Sequence, residues 1–115
     1  MAEKERHWQI GHLFGHHLVR PLLRYPSVIL GDTNDWRNTL HTRELAAQRF
    51  ACATHPISRF RTFPAWLPLG SLDKVYHNDG VVVREAKVVK TKLSRVASDH
   101  LPLCVTIGFP DVGPT

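Results

Sequence analysis

Only two cysteines occur among 115 residues, Cys52 and Cys104, far apart and each flanked by apolar neighbours. That leaves no disulfide framework and no cysteine-ligated metal site, so both read as small buried hydrophobes in a reducing compartment. No apolar run approaches the roughly 18 residues that span a bilayer. The N-terminus, Met1-Ala2-Glu3-Lys4-Glu5-Arg6, is charged from its start and has no apolar signal-peptide core. The expectation is a cytoplasmic chain with no transmembrane segment. Repeats and low-complexity stretches are absent. So is any recognised nucleic-acid-binding module, and aromatic and basic residues do not interleave as such modules require.

What remains is the composition of an ordinary folded domain. A hydrophobic share of 43% and a charged share of 22% suit one globular unit with a modest core. Fifteen basic residues against ten acidic give a net charge of +5, which favours polyanionic partners such as phosphodiesters, nucleic acid or anionic lipid headgroups.

Ala2 to about Val19 reads as an amphipathic helix stopped by Pro21, with Ile10, Leu13, Phe14 and Leu18 on one face. Glu3 and Glu5 suit its first turn. His12 and His16 have a metal-compatible spacing but lie opposite the apolar stripe with no third ligand nearby, so a solvated face is the simpler account. His7 and His17 fall near the apolar side and read as half-buried structural residues. Val28-Ile29-Leu30 fits a short buried strand ended by Gly31. Asn38 or Thr39 is positioned to cap a second helix over Thr42–Phe50, and Cys52–Arg61 reads as irregular chain. Two prolines keep the 62–70 segment from being a central strand. Leu72–Tyr76 alternates as a half-buried strand. Asn78-Asp79-Gly80 carries a hairpin signature into a strand over Val81–Val89, and Leu103–Ile107 closes as a buried strand. The order predicts an α/β chain of α+β type, with one mixed, mostly antiparallel sheet and helices on one face. Val28–Leu30 and Leu103–Ile107 are apolar on both sides, however, so both faces want cover.

Chemistry-bearing side chains gather at the strand ends. Asp32 and Asn34 follow the first strand in a Gly-Asp-x-Asn turn, which sets a carboxylate beside an amide, although these residues are also common turn formers. Asp73 is a carboxylate within an apolar strand: it either needs a partner such as His100 or an ion, or simply faces the surface. Asp99 precedes His100; an acid there orients the imidazole or holds a cation, while an Asp-capped turn explains the pair equally well. Lys87, Lys90, Lys92 and Arg95 form a basic run leading to that loop.

Three stretches, in order, resemble the endonuclease/exonuclease/phosphatase superfamily. Val28-Ile29-Leu30-Gly31-Asp32-Thr33-Asn34-Asp35-Trp36 is similar to the family's Gly-Asp-Phe-Asn turn, with Thr33 in place of Phe. Thr62-Phe63-Pro64 followed by Leu72-Asp73-Lys74-Val75-Tyr76 is similar to its strand with an internal Asp. Ser98-Asp99-His100-Leu101-Pro102-Leu103 is similar to its Ser-Asp-His-Leu-Pro-Val signature. The helix with its Glu-Arg-x-Trp-Gln start resembles the one that precedes the Gly-Asp-x-Asn strand in bacterial members.

The resemblance implies a four-layer α/β sandwich, a divalent cation (Mg2+ or Mn2+) and hydrolysis of a phosphoester by an activated water. By that resemblance Asp32 orients or activates the water, and Asn34 binds the scissile phosphate. Asp99 orients His100 or contributes to the metal site, His100 serves as base or transition-state stabiliser, and Asp73 sets the local electrostatics. The substrate would be nucleic acid, a lipid headgroup or a small phosphate ester. The family's N-terminal half, which carries the Asn and Glu turns of the main metal site, has no counterpart here. Residues 1–115 are therefore expected to be the C-terminal half of such a domain, needing a complementing N-terminal half or a second copy. The alternative is a non-catalytic remnant that binds phosphate-rich partners without hydrolysing them.

Overall fold

The structure, a computed structural model, describes residues 3–110. The chain is mixed α/β, as its pattern predicts, but its strands divide into two antiparallel sheets where one was expected.

Helix α1 spans Glu3–Gly15, with Glu3 and Glu5 in the first turn, where the helix dipole favours acids. Phe14 is buried and Ile10 packs on the core, whereas Leu13 and Leu18 are exposed, so the apolar face is narrower than its spacing suggests. The helix ends at Gly15, short of Pro21, and the chain turns through a 3-10 helix at Arg20–Arg24. Leu18 lies past that end and so never joins the stripe. His7 is buried as expected, while His17 is exposed.

Strand β1, Val28–Asp32, runs one residue past Gly31. The expected second helix is instead two single turns, α2 (Thr39–Thr42) and α3 (Glu44–Ala47). Neither Asn38 nor Thr39 caps them by its side chain. The fully buried carboxylate of Asp35 caps α2, accepting from the N–H groups of Thr39 and Leu40 at 3.1 and 2.9 Å, and α3 follows without a side-chain cap. Ala51–Cys52 forms a short β2, and Ile57–Arg59 a 3-10 turn, within the stretch expected to be irregular. Strand β3, Asp73–His77, is central to the first sheet, in the order β1-β3-β2.

The Asn78-Asp79-Gly80 turn is present, but it does not make a hairpin. Strand β4 (Val82–Val88) leaves β3 and pairs with β5 (Leu103–Gly108). The reason lies in Asn78. Its amide donates to the carbonyls of Leu23 and Tyr25, and its carbonyl accepts from Ser27 and Gly80. The turn is thus tied to the segment entering β1 and is not free to fold β4 back on β3. Between β4 and β5 lies a further helix, α4 (Lys92–Ala97), opened by a capping box of Thr91 and Ser94.

Phe14, Leu40, Leu45, Phe50 and Tyr76 form the core between α1–α3 and the helix-facing side of the first sheet. Each such side chain contributes about 1.5–3 kcal/mol through burial. On the second ladder, Cys104 is exposed, not buried, because it sits opposite Lys87 on the outward face. Cys52 is half-buried.

Candidate active site

The register of the first sheet builds the site. Asp32 is the last residue of β1 and lies directly opposite Asp73, the first residue of β3. Directly opposed side chains share a face, with Cβ atoms about 4.5–5.5 Å apart, and a like-charge pair there is unfavourable unless compensated. His100 supplies the compensation. Its Nδ1 lies 2.7 Å from Asp73 Oδ2, and its Nε2 lies 3.6 Å from Asp32 Oδ2. A carboxylate can only accept, so Nδ1 carries the proton toward Asp73. The hydrogen bond to Asp73 raises the His100 pKa above its usual 6.5; partial burial opposes this, and the charges of Asp73, Asp32 and Asp99 add to it.

The neighbouring chain fixes these side chains. Thr62, fully buried, donates its hydroxyl to the same Asp73 oxygen at 2.6 Å. Its carbonyl accepts from the N–H of Leu101 at 2.8 Å, so one residue ties both Asp73 and the backbone beside His100. Ala65 N–H donates to the Asp99 carbonyl at 2.8 Å, and Ser98 Oγ accepts from His100 N–H at 3.2 Å. The Phe63 ring stands 4.9 Å from the imidazole, and Trp36 meets Phe63 edge-on at 6.3 Å. Gly70 is needed beneath Trp36: a Cβ there would lie 2.3 Å from the indole.

The structure therefore brings Asp32, Asp73 and His100 together, with one ligand atom from each within 4.8 Å of the others. Asn34 stands next to them with a left-handed φ of 52°, its N–H held by Asp32 Oδ1 at 2.9 Å in a side-chain-closed turn. Asp99 stays outside the cluster: its carboxylate is exposed and accepts from Ser98 Oγ at 3.4 Å. The acid that holds the imidazole is the one 27 positions away in sequence, not the one adjacent to it. Among the described residues no other group of three has metal-ligand geometry, so His12 and His16 stand in none.

As a cation site the cluster offers two carboxylates and an imidazole. Asp73 Oδ2 already accepts from Thr62 and His100, and Asp32 Oδ1 accepts from Asn34 N–H, so the half-exposed Asp32 carboxylate, with its Oδ2 3.6 Å from His100 Nε2, is the most accessible ligand of the set. An accessible carboxylate of this kind fits a hydrated magnesium ion, which keeps several waters and takes few protein ligands. It does not make a closed cage.

Thr62 and Asp35 are the residues that sequence reasoning passes over. Thr62 stands in the Thr-Phe-Pro stretch, but nothing local shows that its hydroxyl reaches residue 73. The signal for Asp35 was readable, since an Asp a few residues ahead of a helix is a common cap.

No protein-family model and no curated protein matches the sequence. Among solved structures, the chain is similar to an endonuclease/exonuclease/phosphatase from Beutenbergia cavernae DSM 12333, at a TM-score of 0.61 and 22% identity. The match covers 90% of this chain and 30% of that one. The chain thus has the fold of one part of that larger protein.

Proposed function

We propose that residues 1–115 are the C-terminal portion of a metal-dependent phosphoesterase of the endonuclease/exonuclease/phosphatase superfamily. The observation that carries this reading is the Asp73–His100 pair at 2.7 Å with Asp32 facing the other imidazole nitrogen, in a chain with that fold.

In this reading Asp73 holds Nδ1–H and fixes the ring, so Nε2 points toward Asp32 and the substrate position. Protonated His100 donates from Nε2 to a phosphoryl oxygen, where negative charge grows as water attacks phosphorus. Asp32 orients that water and accepts its proton. Asn34 donates its side-chain amide to the scissile phosphate. Asp32 would hold part of a bound Mg2+ or Mn2+, which would supply Lewis-acid stabilisation of the developing charge. Asp99, outside the cluster, is assigned the weaker part of shaping the field around His100.

The site is read as incomplete in this chain, with a complementing N-terminal half or a second copy supplying further ligands. The inner faces of the two sheets support this. Val28, Leu30, Val75, Leu103, Val105 and Ile107 line a cleft of about 230 Å³ between them, and Leu30 is 73% exposed. Strands meant to face water do not carry such a set.

The test is hydrolysis of bis-(p-nitrophenyl) phosphate with magnesium and with EDTA, by the chain within a domain that supplies the remaining sheet. Magnesium-dependent turnover is expected. His100→Ala or Asp32→Asn should lower kcat by several orders of magnitude with little change in fold. Turnover that survives either substitution overturns the role assigned to that residue.

A further inference from the structure

We infer that the rim of the site, made of the 63–70 loop and α4, docks on the surface of an anionic phospholipid bilayer. The loop is closed at its base by a bridge between Phe63 and Gly70, with the N–H groups of Leu69 and Gly70 donating to the Phe63 carbonyl at 3.0 and 2.9 Å. Leu67 N–H donates to the Pro64 carbonyl at 3.1 Å. So ordered, the loop still turns Trp66, Leu67 and Leu69 to solvent, at 70%, 50% and 59% exposure. Helix α4 does the same. Its buried side is Ser94, while Leu93 and Val96 stand out at 74% and 81%. The bond from Ala65 to the Asp99 carbonyl joins the loop to the chain two residues past α4 and one before His100.

Exposed bases run through these sets: Arg61 near the loop, and Lys90, Lys92 and Arg95 around α4. The cores of protein–protein interfaces are depleted in lysine, because burial strands its charge. A headgroup layer accepts the mixture: leucine and tryptophan enter the acyl boundary, and ammonium and guanidinium groups meet lipid phosphates. The net charge of +5 has the sign that an anionic leaflet attracts. The mixed apolar and basic rim is what favours a lipid surface over a protein partner. That a lipid phosphoester is then the substrate follows only with the phosphoesterase reading and rests on it.

Flotation with phosphatidylcholine–phosphatidylglycerol vesicles tests the docking without any turnover. The chain is expected to float with these vesicles and to be released by salt. Trp66→Ser with Leu67→Ser should weaken binding about tenfold or more, and so should Lys92→Gln with Arg95→Gln. Leu30→Ser with Ile107→Ser, in the inter-sheet cleft, should leave it unchanged. Lipids brominated on the acyl chains should quench an emission component that Trp66→Phe lacks. No flotation, flotation equal in the Trp66 variant, or flotation that follows Leu30 and Ile107 overturns the inference. A failed docking would leave the hydrolysis reading intact, and an inert site would leave the docking intact.

Discussion

At the scale of the residue, one oxygen concentrates the design: Asp73 Oδ2 receives both the Thr62 hydroxyl and His100 Nδ1. Hydrogen bonds to an ionised acceptor contribute about 1.5–3 kcal/mol each. Thr62→Val keeps the shape and removes one donor, so it should destabilise by about that much and let the carboxylate turn away from His100. Thr62→Ser should restore most of the loss, which urea unfolding measures for both variants. A Val variant as stable as the parent would mean that water takes over the bond. The imidazole gives a pH signature. Its pKa is raised in the folded chain, so its contribution to stability is fully present below the unfolded value near 6.5. That contribution is lost as pH rises through the higher folded value. The stability difference between the parent and His100→Gln should therefore shrink from mildly acid toward alkaline pH; a gap that widens would reverse the assigned cause.

At the scale of the element, what was legible in the sequence was local and what was hidden was long-range. The three-strand signals at 28–30, 72–76 and 103–107 needed only period and composition, and the strands are there. The partners were not readable. Asn78-Asp79-Gly80 predicts a hairpin from three residues, but the Asn78 side chain is spent on Leu23, Tyr25 and Ser27, and β4 goes elsewhere. The site shows the same division. Asp32, Asn34, Asp73, Asp99 and His100 could all be named from their positions at strand ends. Which acid meets the imidazole depended on the Asp32–Asp73 register and on Thr62. Helix α4 is a signal that was present and passed over: Thr91 and Ser94 cap each other with bonds of 2.7 and 3.0 Å. Thr91→Ala should cost about 1 kcal/mol and raise amide exchange at Ser94 and Arg95. Protection unchanged there would mean that packing of Ser94, not the cap, holds the helix.

At the scale of the whole molecule, the radius of gyration is 15.2 Å, against about 13 Å for a compact domain of this length. The excess has a structural source. At the site end the 62–65 loop is tied to the chain leading into β5, by Leu101 N–H to the Thr62 carbonyl and Ala65 N–H to the Asp99 carbonyl, while the inner faces of the two sheets stand apart across the apolar cleft. On those faces Leu30 is 73% exposed and Ile107 44%. Removing each such side chain from water is worth about 1.5–3 kcal/mol, so the chain alone has a standing drive to cover them. A second copy is the cover that a purified sample always contains, and isologous pairing of the same face on both copies is the commonest closed arrangement. Sedimentation of the purified chain should accordingly show concentration-dependent self-association. Leu30→Lys with Ile107→Lys should abolish it while leaving the Asp32, Asp73 and His100 cluster in place, since neither residue touches that cluster's hydrogen bonds. A parent chain that stays monomeric and binds no hydrophobic dye would mean that the sheets close on each other in solution. The cleft would then be no docking face for any complementing half.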